Sequence, residues 1–190
     1  MGGDITLNFG IKYPQMSESL IICACGSGTV GREDFLAHAG QVAQRILDEG
    51  IEAKVRYFVG LASRRGFAEK DPRGWKEFLQ QLGDHSAVGS AYTTRGVRMR
   101  RKTIFELEPE MKHIEVPSLI VVGDQDEACL DSSLFMKRHI PYAGLLILPM
   151  IGHTANIEDP GLFNLHLSEF LAAVENGRWG PWKAQKTTSR

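Results

Sequence analysis

The 190 residues are 43% hydrophobic and 24% charged, the proportions of one ordinary globular domain with enough chain to bury a core. Twenty-two Lys and Arg against 23 Asp and Glu leave a net charge of −1, so no basic field invites nucleic acid or an anionic membrane, and a small-molecule substrate is the expected partner. Cys23, Cys25 and Cys129 lack metal-site spacing and are too few for a disulfide framework, which points to a reducing, cytoplasmic setting with no metal and, without a basic start and apolar run, no signal peptide.

In chain order, MGGDITLNFGIKYP reads as a helix that stops before Pro14. SLIICAC, residues 19–25, is a continuous apolar run of strand length, the mark of a strand buried on both faces. REDFLAHAGQVAQRILDEG then places Phe35, Leu36, Ala39, Val42, Ala43, Ile46 and Leu47 at helical spacing and ends at Gly50. From there to about residue 110 the chain is helical and basic, with Trp75, Phe78, Leu79 and Leu82 in one stripe. VPSLIVVGDQD resumes the buried-strand style, a helix follows around DSSLFMKRHI, and AGLLILPM is another apolar strand. A last amphipathic helix runs from about Pro160 to Glu175, and residues 176–190 form a polar, breaker-rich tail expected to be loose. Strands alternating with helices predict an α/β fold, a parallel sheet flanked by helices with ligands at the carboxyl ends of its strands.

Three loops leave those strand ends. The first is Gly26-Ser27-Gly28-Thr29-Val30-Gly31, a literal GxGxxG between strand and helix, where backbone could approach a pyrophosphate. A dinucleotide site needs an acid at the end of the next strand. Read as that strand, EAKVRYFV runs instead into Gly60-Leu61-Ala62-Ser63-Arg64-Arg65, whose arginines would suit the 2′-phosphate of NADP. A flexible turn leading into an insertion is the plainer reading. The second loop carries Asp124 and Asp126, and the third carries His153, 27 residues after Asp126. Either residue alone is ordinary: a helix cap, or a satisfied polar group. Delivered by neighbouring strands to one rim, a carboxylate and an imidazole are the pair that holds a general base in its working tautomer.

From Val116 to Leu171 the chain resembles the carboxyl-terminal part of an α/β-hydrolase: Pro117, an apolar strand, Gly123-x-x-Asp126, a second strand, Gly152-His153, then Glu158-x-Pro160 ahead of a last helix with Phe163 and Phe170. The match runs in register over about 55 residues. The resemblance implies a partial α/β-hydrolase fold, with core residues 1–30 and 111–175 and a helical lid over 31–110. It makes Asp126 the triad acid and His153 the base, with Asp124 as fallback acid, and calls for no cofactor. Arg95, Arg98, Arg100 and Arg101 at the end of the lid would either favour an acidic substrate or form a solvated face.

Such an enzyme needs a nucleophile on a Gly-x-Ser-x-Gly elbow before the acid and base, and the chain contains none. Ser86 has no strand before it, Ser27 sits where the lid begins, and Cys129 lies on the acid's own loop. The family often writes its elbow Gly-His-Ser-Met-Gly-Gly, and Met1-Gly2-Gly3 fits the last three letters. The resemblance thus implies a triad whose Ser would precede Met1, with the backbone N–H of Met1 as half of the oxyanion hole. It also leaves residues 19–25 as an exposed sheet edge, from which self-association is expected. A myristoylation signal, Gly2 with Thr6, is the rival reading of the same letters. An ester-like or C–C-bond hydrolase, an NADP-binding module and a non-catalytic α/β-hydrolase relative are the functions carried forward.

Overall fold

In the computed structural model, residues 1–181 are described. The chain runs α1 (Gly2–Lys12), β1 (Leu20–Cys23), α2 (Arg32–Glu49), α3 (Ile51–Val59), α4 (Arg65–Lys70), α5 (Pro72–Gly83), α6 (Ala87–Thr93), α7 (Glu108–Met111), β2 (Ser118–Gly123), α8 (Glu127–His139), β3 (Ala143–Leu148), α9 (Ala155–Glu158) and α10 (Pro160–Glu175). The strands form one parallel sheet in the order β1-β2-β3. All six residues of β2 are buried, as a central strand covered on both faces requires.

Alternation along β2 divides the core. Ile120 joins Leu7 of α1 and Met136 of α8 on one face, whereas Leu119 and Val121 join Phe170 of α10 on the other. The sheet is therefore the middle layer of three, with α1 and α8 on one side and α10 on the other. Helix starts follow local chemistry: Pro160 opens α10, where Asp159 Oδ1 accepts from Leu162 N–H at 3.0 Å, and Asp71 caps α5 in the same way.

Between β1 and β2 the chain makes no strand. Here α2, α3 and α6 close on a separate apolar cluster of Ala43, Ile46, Ala53 and Ala91. This agrees with the helical reading of the chain beyond Gly50 and removes the strand that the NADP reading required of EAKVRYFV. Its β-branched and aromatic letters favour a strand locally, but as α3 it buries Ala53 against α2, and packing overrides propensity. The parallel partner of β1 is thus β2, 94 residues downstream of it, and no dinucleotide-type βαβ unit forms around GxGxxG.

The tail expected to be loose is anchored in its first residues. Trp179 donates from Nε1 to the Tyr142 carbonyl at 2.8 Å and packs edge-on against Phe170. Residues 182–190 of that tail lie outside the described residues. Among the described residues, β1 has one strand neighbour, and α1 leaves Ile5, Phe9 and Tyr13 exposed. No helix there is long and apolar enough to cross a membrane.

Candidate active site

The acid and base come from consecutive strand ends. After β2 the backbone turns at once, Asp126 N–H donating to the Gly123 carbonyl at 3.1 Å, and Asp126 becomes the first flanking residue of α8. Its side chain makes no capping hydrogen bond, so the common role of an Asp at this place is not the one it plays. After β3 the chain turns through Met150, held at φ +59°, and delivers His153. His153 Nδ1 lies 2.7 Å from Asp126 Oδ2.

Asp126 is 1% exposed and the His153 side chain 27%. A buried carboxylate acceptor fixes the proton on Nδ1, leaving Nε2 as the nitrogen able to exchange protons with the space that His153 faces. That space is a cavity of about 650 Å³, lined by Met1, Ser27, Asp126 and His153 and roofed by residues of the segment between β1 and β2.

Two glycines make the approach possible. A Cβ on Gly123 would stand 2.1 Å from the Ile151 carbonyl oxygen, and one on Gly152 would stand 2.0 Å from that of Ser63. The loop of the base is thus pressed directly onto the turn of the acid and onto the backbone that precedes α4. Polar anchors complete the seat. His153 N–H donates to Ser63 O at 2.8 Å, Gly152 N–H to Glu158 Oε2 at 2.9 Å, and Gln125 N–H to Ile151 O at 2.9 Å. Lys70 from α4 reaches the Met150 carbonyl and, at 2.9 Å, the other oxygen of Glu158, whose side chain is fully buried.

The other sequence candidates separate. Asp124, the fallback acid, is exposed and accepts from Ile151 N–H at 3.3 Å; it braces the base loop and does not touch the imidazole, because two residues before Asp126 the chain has not yet turned inward. Cys129 is fully buried. Burial first, then the charge of Asp126 and a hydrogen bond to it, push its thiol well above the ordinary range, so it serves as a donor to the acid and not as a nucleophile. Its sulfur, with Asp126 and His153, forms a group with ligand atoms within 4.8 Å of one another, but the facing atoms of Asp126 and His153 are spent on each other. Ser86 faces the cavity, yet its Oγ caps α6 by accepting from Gly89 N–H at 3.1 Å.

The GxGxxG loop is occupied by protein. Gly26, Gly28 and Gly31 all have left-handed φ, at +116°, +78° and +61°, which alone explains three glycines. Arg101 Nη2 donates to Ser27 O at 2.7 Å and Ile104 N–H to Thr29 Oγ1 at 3.1 Å. Of the predicted arginines, Arg98 lines the cavity, Arg101 is committed to Ser27 and to Asp4 at 3.6 Å, Arg95 reaches Gln44 at 2.7 Å, and Arg100 is exposed. Ser63, Lys70 and the loop-holding role of Glu158 were not foreseen; Glu158 stood in the Glu-x-Pro motif, while Ser63 and Lys70 carry no sequence signal.

Known structures share this layout of strands and helices. MenH from S. aureus superposes with a TM-score of 0.82 at 23% identity, over 92% of this chain and 66% of its own. The chain has the α/β-hydrolase fold. MGS-M2, an alpha/beta hydrolase enzyme from a Medee basin deep-sea metagenome library, matches with a TM-score of 0.69 at 18% identity, over 98% of this chain and 64% of that one. In sequence, a Bacillus subtilis (strain 168) protein named "Putative 2-succinyl-6-hydroxy-2,4-cyclohexadiene-1-carboxylate synthase" is 27% identical over 180 residues. That alignment takes in 92% of this chain, which spans 64% of the length of the Bacillus protein. No family model matches the chain.

Proposed function

We propose that the chain provides the acid and the base of a serine-hydrolase-type enzyme that cleaves an ester-like or C–C bond of a small molecule held in the cavity. The observation that carries this reading is the 2.7 Å contact between His153 Nδ1 and the buried carboxylate of Asp126, at the cavity wall. In this reading a hydroxyl attacks the substrate carbon, His153 Nε2 takes its proton and later returns it to the leaving group, and Asp126 stabilises the imidazolium between. In this reading the hydroxyl is that of a Ser outside the 190 residues, placed beside Met1. The N–H of Met1, which lines the cavity, would then face the developing oxyanion. Residues 31–110 act as the lid that excludes water and selects the substrate.

Two measurements test this. The nucleotide sequence upstream of the Met1 codon should carry an in-frame Gly-x-Ser, and the product extended through it should be labelled covalently by a fluorophosphonate. Extension without labelling would leave a non-catalytic relative. For the 190-residue chain the proposal is that hydrolysis is slower by at least about 10⁴-fold than for the extended product.

A further inference from the structure

The cavity wall opposite the sheet is built from cations without anions. Arg64 is 8% exposed and its guanidinium lies between the rings of Phe58 and Phe78, 4.6 and 5.3 Å from their centroids. Its Nε and Nη1 are buried with no hydrogen-bond acceptor. Arg98, a second lining residue, stands 5.5 Å from the ring of Phe35. Lys54, a third, meets only neutral groups, Ser90 Oγ at 3.1 Å and His85 Nδ1 at 3.2 Å. Among the described residues no carboxylate pairs with any of the three. Asp126 is the one carboxylate in the lining, and its Oδ2 is engaged with His153.

Burial lowers the proton affinity of all three cations; at Arg64 the charge of Asp126 and then Tyr57 oppose it, and Arg98 adds to it at both Lys54 and Arg64, so they share one electrostatic neighbourhood. A buried guanidinium without an acceptor is costly unless something else supplies the charge. Rings and aliphatic groups, among them Tyr57, Leu61 and Ile46, form an apolar part of the lining, beside the polar Ser86, Ser90 and Thr94.

We infer that this wall is a carboxylate subsite: the ligand has an apolar body against the rings and at least one carboxylate received by Arg64, with Arg98 and Lys54 adding positive charge. This rests on the reading of the cavity as the substrate site of Asp126 and His153, and it names the substrate class. Ser63, whose carbonyl holds the N–H of His153, is the neighbour of Arg64 in the chain. Arg64 and His153 line the same cavity, so a carboxylate seated on Arg64 holds the ligand in the space that the base faces.

Calorimetric titration of the 190-residue chain with 4-phenylbutyrate, 4-phenylbutyramide and 3-phenylpropyl phosphate separates charge from shape. The acid should bind at least about tenfold more tightly than the amide, the preference expected of a charge-assisted contact. Arg64→Met should remove that preference, and Lys54→Met should reduce it, both with unchanged near-ultraviolet circular dichroism. Should Arg64→Met fail to fold, Arg98→Met and Lys54→Met carry the test. Equal affinity of acid and amide, no binding of the acid, or a preference undiminished in the folded variants would overturn the subsite. A phosphate bound more tightly than the acid would overturn the carboxylate assignment. Binding needs no nucleophile, so absence of fluorophosphonate labelling in the extended product counts against the proposed chemistry and leaves this inference standing.

Discussion

Adding one methyl group at Gly123 should disconnect the acid from the base. The new Cβ would lie 2.1 Å from the Ile151 carbonyl oxygen and 2.5 Å from that of Gly152. Both are backbone atoms, so no flexible side chain can swing away. To restore ordinary contact the loop must retreat from 2.1 to 3.4 Å, and His153 is the next residue along it. A retreat of that size takes the 2.7 Å contact with Asp126 outside hydrogen-bonding range. Overpacking of this kind costs about 1–3 kcal/mol, which in a chain of this size lowers the melting temperature by about 2–12 °C. Loss of the base geometry costs about 10²-fold in the rate of the extended product.

The assay is thermal unfolding by circular dichroism together with proton NMR of the imidazole N–H that donates to Asp126. Gly123→Ala should melt earlier and lose the downfield imidazole resonance. Gly161→Ala is the control: its Cβ meets nothing nearer than Asp159 Oδ1 at 3.7 Å, and alanine in a helix gains up to about 1 kcal/mol. If Gly123→Ala melts with the parent and keeps its imidazole resonance, the contact between the two loops does not set the pair.

Asp126→Asn should lower the labelling rate of the extended product by about 10⁴-fold through the wrong imidazole tautomer, while the fold survives; a loss below tenfold would remove Asp126 from the mechanism. Lys70→Met leaves the fully buried Glu158 carboxylate with Gly152 N–H alone; because the Lys70 side chain is 39% exposed, the expected cost in urea denaturation is about 1–2 kcal/mol. Arg73→Ala, from a pair 90% and 57% exposed, should cost under about 0.5 kcal/mol, and equal costs would show that Lys70 anchors nothing. Burial pushes the thiols of Cys23 and Cys25 up to about 11 and about 12, so a thiol reagent at pH 8 should modify them far more slowly in the native than in the denatured chain. Unfolded thiols ionise near 9.0 while the native ones keep their protons, so stability should fall as pH rises above 9, and less steeply in Cys23→Ser.

The strands were legible from their continuous apolar runs, SLIVV and AGLLIL containing little else; burial on both faces explains the run in β2, whereas β1 alternates buried with half-buried residues and β3 leaves Ile147 exposed. Asp126 and His153 were legible because a parallel sheet fixes where strand ends lie, so sequence order alone brings neighbouring loops to one rim. Choosing Asp126 over Asp124 required the count from Gly123, and the structure shows why three residues are needed: the turn closes by the Asp126 N–H to Gly123 carbonyl bond before the side chain faces inward. The helical character of the stretch after Gly50 was legible, although Val55, Tyr57, Phe58 and Val59 also spell a strand locally; the seat of Ala53 on α2 favours the helix. Trp179 was hidden, since its neighbours are breakers and its partners, Tyr142 and Phe170, lie in other elements.

Apart from Gly152 N–H, which donates to Glu158 of α9, the groups that anchor the base loop are held from one of two sides. Asp124 and Gln125, which belong to the turn after β2, hold Ile151. Ser63 and Lys70, which belong to the segment lining the cavity, hold His153 N–H, the Met150 carbonyl and the Glu158 carboxylate. The first set ties the base to a rigid, fully buried strand. The second ties it to the short stretch that carries Arg64. Whatever shifts that stretch, whether a ligand drawn to Arg64 or a substitution between residues 61 and 70, moves two of the anchors of His153 as well. Binding and proton transfer therefore cannot be tuned independently from this segment, and variants within it should change kcat and KM together in the extended product, whereas variants of Val42 or Ile46, which line the cavity from α2, should act on KM alone.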